Sequence, residues 1–78
     1  MYPAVTDVKP ASNYTLLLTF NNGERKKFDM KPYLHLAIFR ELKDVAKFND
    51  VRVSFDTIEW GNEADIDPEV LFQDGETI

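Results

Sequence analysis

Seventy-eight residues, 44% hydrophobic with ten aromatics and 29% charged, make one small globular domain, of a size that buries only roughly 60% of the surface its unfolded chain exposes. A net charge of -5 repels phosphate backbones and argues against direct nucleic-acid binding, and the absence of cysteine removes both disulfides and thiolate metal sites. Residues 1–20 lack a basic start followed by a continuous apolar run, and no stretch approaches the ~18 apolar residues of a membrane span, which predicts a cytoplasmic protein.

Along the chain, residues 4–9 (AVTDVK) are rich in strand formers and closed by Pro10, which predicts a first strand at a sheet edge. Residues 14–20 (YTLLLTF) alternate in period two: Tyr14, Leu16, Leu18 and Phe20 share one face, and Thr15, Leu17 and Thr19 the other. The turn Asn21-Asn22-Gly23 returns the chain into ERKKFDM. A three-residue loop with Gly23 left-handed sets Leu16 opposite Phe28 and Tyr14 opposite Met30, a better apolar match than the two-residue register. The basic run Arg25, Lys26 and Lys27 then reads as a solvated strand end.

Pro32 opens a helical turn through Leu34. Residues 36–42 place Leu36, Phe39 and Leu42 on one helical face, with Ile38 four residues before Leu42. Asp44 is positioned to N-cap a turn through Phe48. VRVSF (51–55) and TIEW (57–60) form a second hairpin with Val51, Val53, Ile58 and Trp60 as core positions. Asp67, Pro68 and Glu69 follow as N-cap, first-turn proline and a carboxylate near the positive helix end. They open a short helix that buries Val70, Leu71 and Phe72 and stops at Asp74-Gly75. Strands in antiparallel pairs with helices between and after them describe an α+β fold: a single domain, 1–78, with a sheet of about five strands and short helices on one face.

The stretch TIEWGNEADIDPEVLF (57–72) invites a metal reading, because Asp65, Asp67, Glu69 and Glu76 fall at positions one, three, five and twelve of a calcium loop. Val70 stands where that loop needs glycine, and Pro68 promotes a helix where the loop must wrap the ion. Capping is the better account, with Asp65 available to the amides of the turn after Trp60. Nucleophilic catalysis has little to build on: Ser12, Ser54 and the single His35 share no signature. Gly23, Gly61 and Gly75 are isolated, so no phosphate cradle is formed. No enzyme, cofactor or metal site is expected. Leu17, apolar between two threonines on the second face of its strand, is the candidate contact for a helix, a neighbouring strand or a partner.

The residues Thr57, Ile58, Trp60, Ala64, Asp65, Ile66, Pro68, Glu69, Leu71 and Phe72 resemble the terminal motif of the bacterial domain of unknown function 2442 family (DUF2442). The resemblance extends over nearly the whole chain, through Val5 and Val8, the NGE turn, Phe28-Asp29, Leu42, Phe48 and VRV. Asp56 stands where members often have glycine, which leaves the turn type open. The resemblance implies a small α+β fold without established catalytic residues. Some members carry a helix-turn-helix half, and others lie in pairs resembling toxin-antitoxin modules. The expectation is therefore a non-enzymatic interaction module, antitoxin-like toward a small basic protein. The alternatives are a ligand-sensing domain working with a separate DNA-binding protein, or a carboxylate-based enzyme using Asp65, Asp67 or Glu69.

Overall fold

The computed structural model describes residues 3–78. In chain order the strands are β1 (Val5–Ala11), β2 (Thr15–Phe20), β3 (Arg25–Asp29), β4 (Val51–Ser54), β5 (Thr57–Trp60), β6 (Asp65–Ile66) and β7 (Glu76–Thr77), with helices α1 (Val45–Asn49) and α2 (Pro68–Asp74). They build two antiparallel sheets, ordered β1-β2-β3-β7 and β4-β5-β6. The α+β class stands, but the expected single sheet of about five strands is divided in two. The extra strands, β6 and β7, have two residues each, too few to carry a period in sequence; their partners β5 and β3 define them.

The first hairpin follows the alternation of its residues. Leu16, Leu18 and Phe20 are buried while Thr15, Leu17 and Thr19 are half-buried. Leu16 pairs with Phe28, and Phe20 and Glu24 close a three-residue loop in which Gly23 has φ 88°. That is the expected loop, with glycine where an L side chain is disfavoured. Tyr14 keeps its pairing with Met30 through the Met30 amide (2.9 Å), yet it leaves the strand itself. It ends a 3₁₀ turn, Ser12–Tyr14, with φ 57°, and packs edge-on against Phe48. β1 is an edge strand running through Pro10 to Ala11, and its register shifts between Val5 and Asp7. Val5 and Val8 are three residues apart, which an ideal strand would put on opposite faces; the irregularity lets Val5 reach the core at 2% exposure.

Between the sheets, Lys31–Tyr33 forms a single 3₁₀ turn and Ala37–Lys43 a longer 3₁₀ helix. Three residues per turn explains which positions it buries. Phe39 and Leu42, three apart, are buried, whereas Ile38 is exposed because four residues is a full turn plus a third. Leu36, expected on the same face, precedes the helix in extended backbone and is exposed. Asp44 then caps α1, its Oδ1 accepting from the Ala46 amide at 3.0 Å.

One core cluster spans both sheets and helices. An aromatic chain runs through it from Tyr14 to Phe48, Trp60 and Phe39, with ring centroids 5.4, 6.3 and 5.9 Å apart; the first and last pairs meet edge-on, a geometry that adds to burial, and Phe48 lies tilted against Trp60. Of the expected core positions in the second hairpin, Ile58 and Trp60 are fully buried and Val51 is half-buried. Val53 is exposed because its strand lies at the edge of the three-stranded sheet.

Lys26 departs from the reading of a solvated strand end. Arg25 and Lys27 are exposed, but Lys26 points inward at 8% exposure. Its Nζ donates to the Phe72 carbonyl in α2 at 2.6 Å and lies 4.0 Å from the Phe72 ring centroid. A cation near a helix C-terminus meets the negative end of the helix dipole, and the aliphatic stem adds apolar packing. Gly75 closes this junction: a Cβ there would lie 2.7 Å from the Leu71 carbonyl oxygen and 3.1 Å from Lys26 Cβ. Its role is close approach, since its φ is -73°.

Candidate interaction surface

The β4–β5 hairpin pairs Ser54 with Thr57, leaving Phe55 and Asp56 as a two-residue connection. Such loops need positive φ in at least one central residue, normally supplied by glycine or asparagine. Here Phe55 supplies it, with φ 56°, and its side chain is 98% exposed. A left-handed backbone at a bulky L residue costs about 1–2 kcal/mol, and at this exposure the ring returns almost nothing through burial. The tip is also held in place, because the Asp56 carbonyl accepts the Val5 amide at 3.0 Å. Exposed Val53 lies two residues before Phe55.

The outer face of the hairpin carries Arg52 and Glu59 in register, joined at 3.2 Å, with Asp65 opposite Glu59 on the other side. Exposed pairs of this kind contribute at most about 1 kcal/mol, so their main effect is on surface charge. That charge is unevenly distributed along the chain. Residues 41–78 hold eleven of the fourteen Asp and Glu and three of the nine Lys and Arg, a net -8, leaving +3 for residues 1–40.

The structure gathers the predicted motif residues into one framework. Trp60 is fully buried and its Nε1 donates to the Phe48 carbonyl at 2.9 Å, tying β5 to α1. The turn after it is closed by Trp60 N to the Ala64 carbonyl and Glu63 N to the Trp60 carbonyl, both 2.9 Å. The Ala64 amide donates to Asn62 Oδ1 at 3.1 Å, the task expected of Asp65. Asp65 instead lies exposed in β6, where its side chain points away from the turn with Glu59. Asp67 N-caps α2, its Oδ1 accepting from the Glu69 amide at 2.9 Å, with Pro68 in the first turn, Glu69 exposed beside it and Leu71 fully buried. A capping carboxylate thus occupies the stretch, and among the described residues no three or more His, Cys, Asp or Glu are grouped as metal ligands. His35 is exposed.

Leu17 is half-buried on the outer face of the four-stranded sheet, in register between Lys9 and Lys27. With Lys27, Glu76, Thr77 and Ile78 it borders a recess of about 240 Å³, so the neighbouring β7 segment forms one wall beside it. Further along β3, burial tends to raise the Asp29 carboxyl, but the Lys31 amide and ammonium outweigh it and hold the group below its ordinary range. Tyr33 is raised, first by burial and then by its hydrogen bond to the Asp74 carboxylate at 2.9 Å.

The feature that sequence reasoning missed is Phe55. Its only signal was the absence of glycine or asparagine from a two-residue hairpin loop, which marks a turn under strain without saying where the ring points. Among the described residues, no helix is long and apolar enough to cross a membrane. No curated protein and no solved structure matches the chain. A family model does match, over residues 5–77, and with the fold and its terminal strand-turn-helix framework in view the chain belongs to the family described as protein of unknown function DUF2442.

Proposed function

We propose that this domain is a non-enzymatic, cytoplasmic protein-interaction module that contacts its partner through the β4–β5 hairpin tip. The observation that carries the reading is Phe55, an aromatic ring held almost wholly in solvent on a strained backbone. Strain without a folding benefit points to selection for something other than stability, and exposed aromatics are the side chains that most often anchor interfaces. The -8 of residues 41–78, to which the hairpin belongs, favours a small basic partner, as in an antitoxin-like pair. Complementary charge would guide encounter and a desolvated Phe55 would slow dissociation.

Affinity purification of the tagged protein from its native host at low salt, with mass spectrometry of what accompanies it, tests this reading. The expected result is a stoichiometric basic protein that is lost at high salt and fails to copurify with Phe55→Gly. A partner retained equally by that variant, or the lack of any stoichiometric partner, would overturn it.

A further inference from the structure

Of the chain's five asparagines, Asn22 alone precedes a glycine, and the structure sets that pair at the tip of the β2–β3 hairpin. Asn22, Gly23 and Glu24 are all exposed. A Cβ built at Gly23 would meet nothing within 4 Å, so the space beside its α-carbon is open. Asn22 Oδ1 accepts the Glu24 amide at 3.0 Å, which bends the side chain back along the main chain past the Gly23 nitrogen.

We propose that Asn22 is a modification site, at which the folded protein converts asparagine into aspartate and isoaspartate with water as the co-reactant. The reaction needs neither an enzyme nor a partner protein. Loss of the Gly23 amide proton to hydroxide frees the nitrogen to attack Asn22 Cγ. An N–Cγ bond forms, the Cγ–Nδ2 bond breaks, and ammonia leaves with a proton drawn from water, closing a succinimide ring. Water then opens that ring at either carbonyl. Opening at Cγ gives aspartate, and opening at the main-chain carbonyl gives isoaspartate, through whose side-chain carbon the backbone then runs.

The geometry selects this residue. Negative charge gathers on Oδ1 as the nitrogen adds, and the Glu24 amide already points there, the arrangement by which an oxyanion hole stabilises such intermediates. Glycine leaves the attacking nitrogen without a neighbouring side chain and with wide backbone freedom. The opposing contact is the Gly23 amide's bond to the Phe20 carbonyl at 3.0 Å, and at an exposed hairpin tip local opening costs little. Asn13, Asn21, Asn49 and Asn62 each precede a residue whose side chain crowds the nitrogen. Asp74-Gly75 does offer a glycine. Its carboxylate, however, is held by the Tyr33 hydroxyl at 2.9 Å, and the Gly75 amide is tied to the Leu71 carbonyl at 3.2 Å against Lys26.

Each conversion makes the net charge one unit more negative than -5, at the entrance to the basic run of β3. Isoaspartate also adds a main-chain carbon to a loop whose three residues fit between the paired Phe20 and Glu24. The test incubates the whole native protein at neutral and at mildly alkaline pH, digests it at mildly acidic pH so that conversion stops, and maps the peptides by mass spectrometry. Isoaspartate is read by enzymatic methylation of its carboxyl group. A parallel sample unfolded in urea reports the reactivity of the same chain without its fold.

The folded protein should gain the mass of an amide-to-acid change at Asn22 before any change at the other four asparagines, with isoaspartate as the major product and a rate that rises in proportion to hydroxide. Asn22→Gln should abolish that gain, because the longer side chain must close a larger ring, and unchanged Trp60 fluorescence would show that the variant is folded. An Asn22 that stays intact in the folded protein while the urea-unfolded chain converts would overturn the assignment. So would earlier conversion at another asparagine, or an undiminished gain in Asn22→Gln.

Discussion

Phe55→Gly should make the protein more stable while removing its proposed contact. A left-handed φ at phenylalanine costs about 1–2 kcal/mol, which glycine avoids, and glycine's greater freedom in the unfolded chain returns about 0.5–1 kcal/mol of that. At 98% exposure the lost ring removes almost no buried apolar surface, so no large opposing contribution arises. The net expectation is a gain of about 0.5–1 kcal/mol, or roughly 2–8 °C in Tm for a domain of this length. Urea unfolding followed by fluorescence suits the measurement, because Trp60 is the only tryptophan and is fully buried. The midpoint should rise with the slope unchanged. A lower midpoint would refute the reasoning: it would mean that the ring stabilises the fold, and that its exposure is no sign of an interface. A higher midpoint joined to loss of the copurifying partner would be the stability-function trade-off expected of a strained recognition residue.

Other perturbations test the framework beneath the surface. Asp67→Ala should cost about 1 kcal/mol through loss of the α2 cap, and calcium or magnesium should shift the urea midpoint of neither protein; a divalent ion that stabilised only the wild type would favour the metal reading over capping. Gly75→Ala drives a Cβ to within 2.7 Å of the Leu71 carbonyl and should destabilise by about 1–3 kcal/mol, with faster hydrogen exchange in α2; a neutral effect would show that the Lys26 junction yields easily. On the acid side, the folded Asp29 pKa lies below its ordinary 3.8. Its contribution is therefore present above that value and lost as pH falls through the lower folded one, so Asp29→Asn should flatten the acid limb of a midpoint-versus-pH curve. Tyr33 has the opposite sign. Raised above 10.0, it contributes below that value and loses the contribution as pH climbs through the higher folded one, a decline that Tyr33→Phe should abolish.

Much of the fold is legible in sequence where its cause is local. The Asp44 and Asp67 caps, the first-turn Pro68, the left-handed Gly23 and the Leu16–Phe28 register each follow from a few adjacent residues, because amide capping, backbone sterics and a two-residue period act within one turn or one hairpin. The candidate surface is legible only in part. Trp60, Asp67, Pro68 and Leu71 are identifiable in sequence as one motif, yet the proposed contact lies at Phe55.

Tertiary structure decided the rest. Lys26 lies in a basic run that reads as solvated, and only the arrival of α2 across β3 supplies the Phe72 carbonyl and ring that bury it. Asn62 rather than Asp65 closes the turn because pairing with β5 aims Asp65 along Glu59 on the outer face. Ile38 is left in solvent by a 3₁₀ geometry whose difference from an α-helix a seven-residue segment scarcely encodes. Strands of two residues, and the division into two sheets, exist only through partners distant in sequence. Local interactions choose among backbone conformations for a short segment, but burial and exposure depend on which distant segments arrive, and that is settled only when the whole core closes.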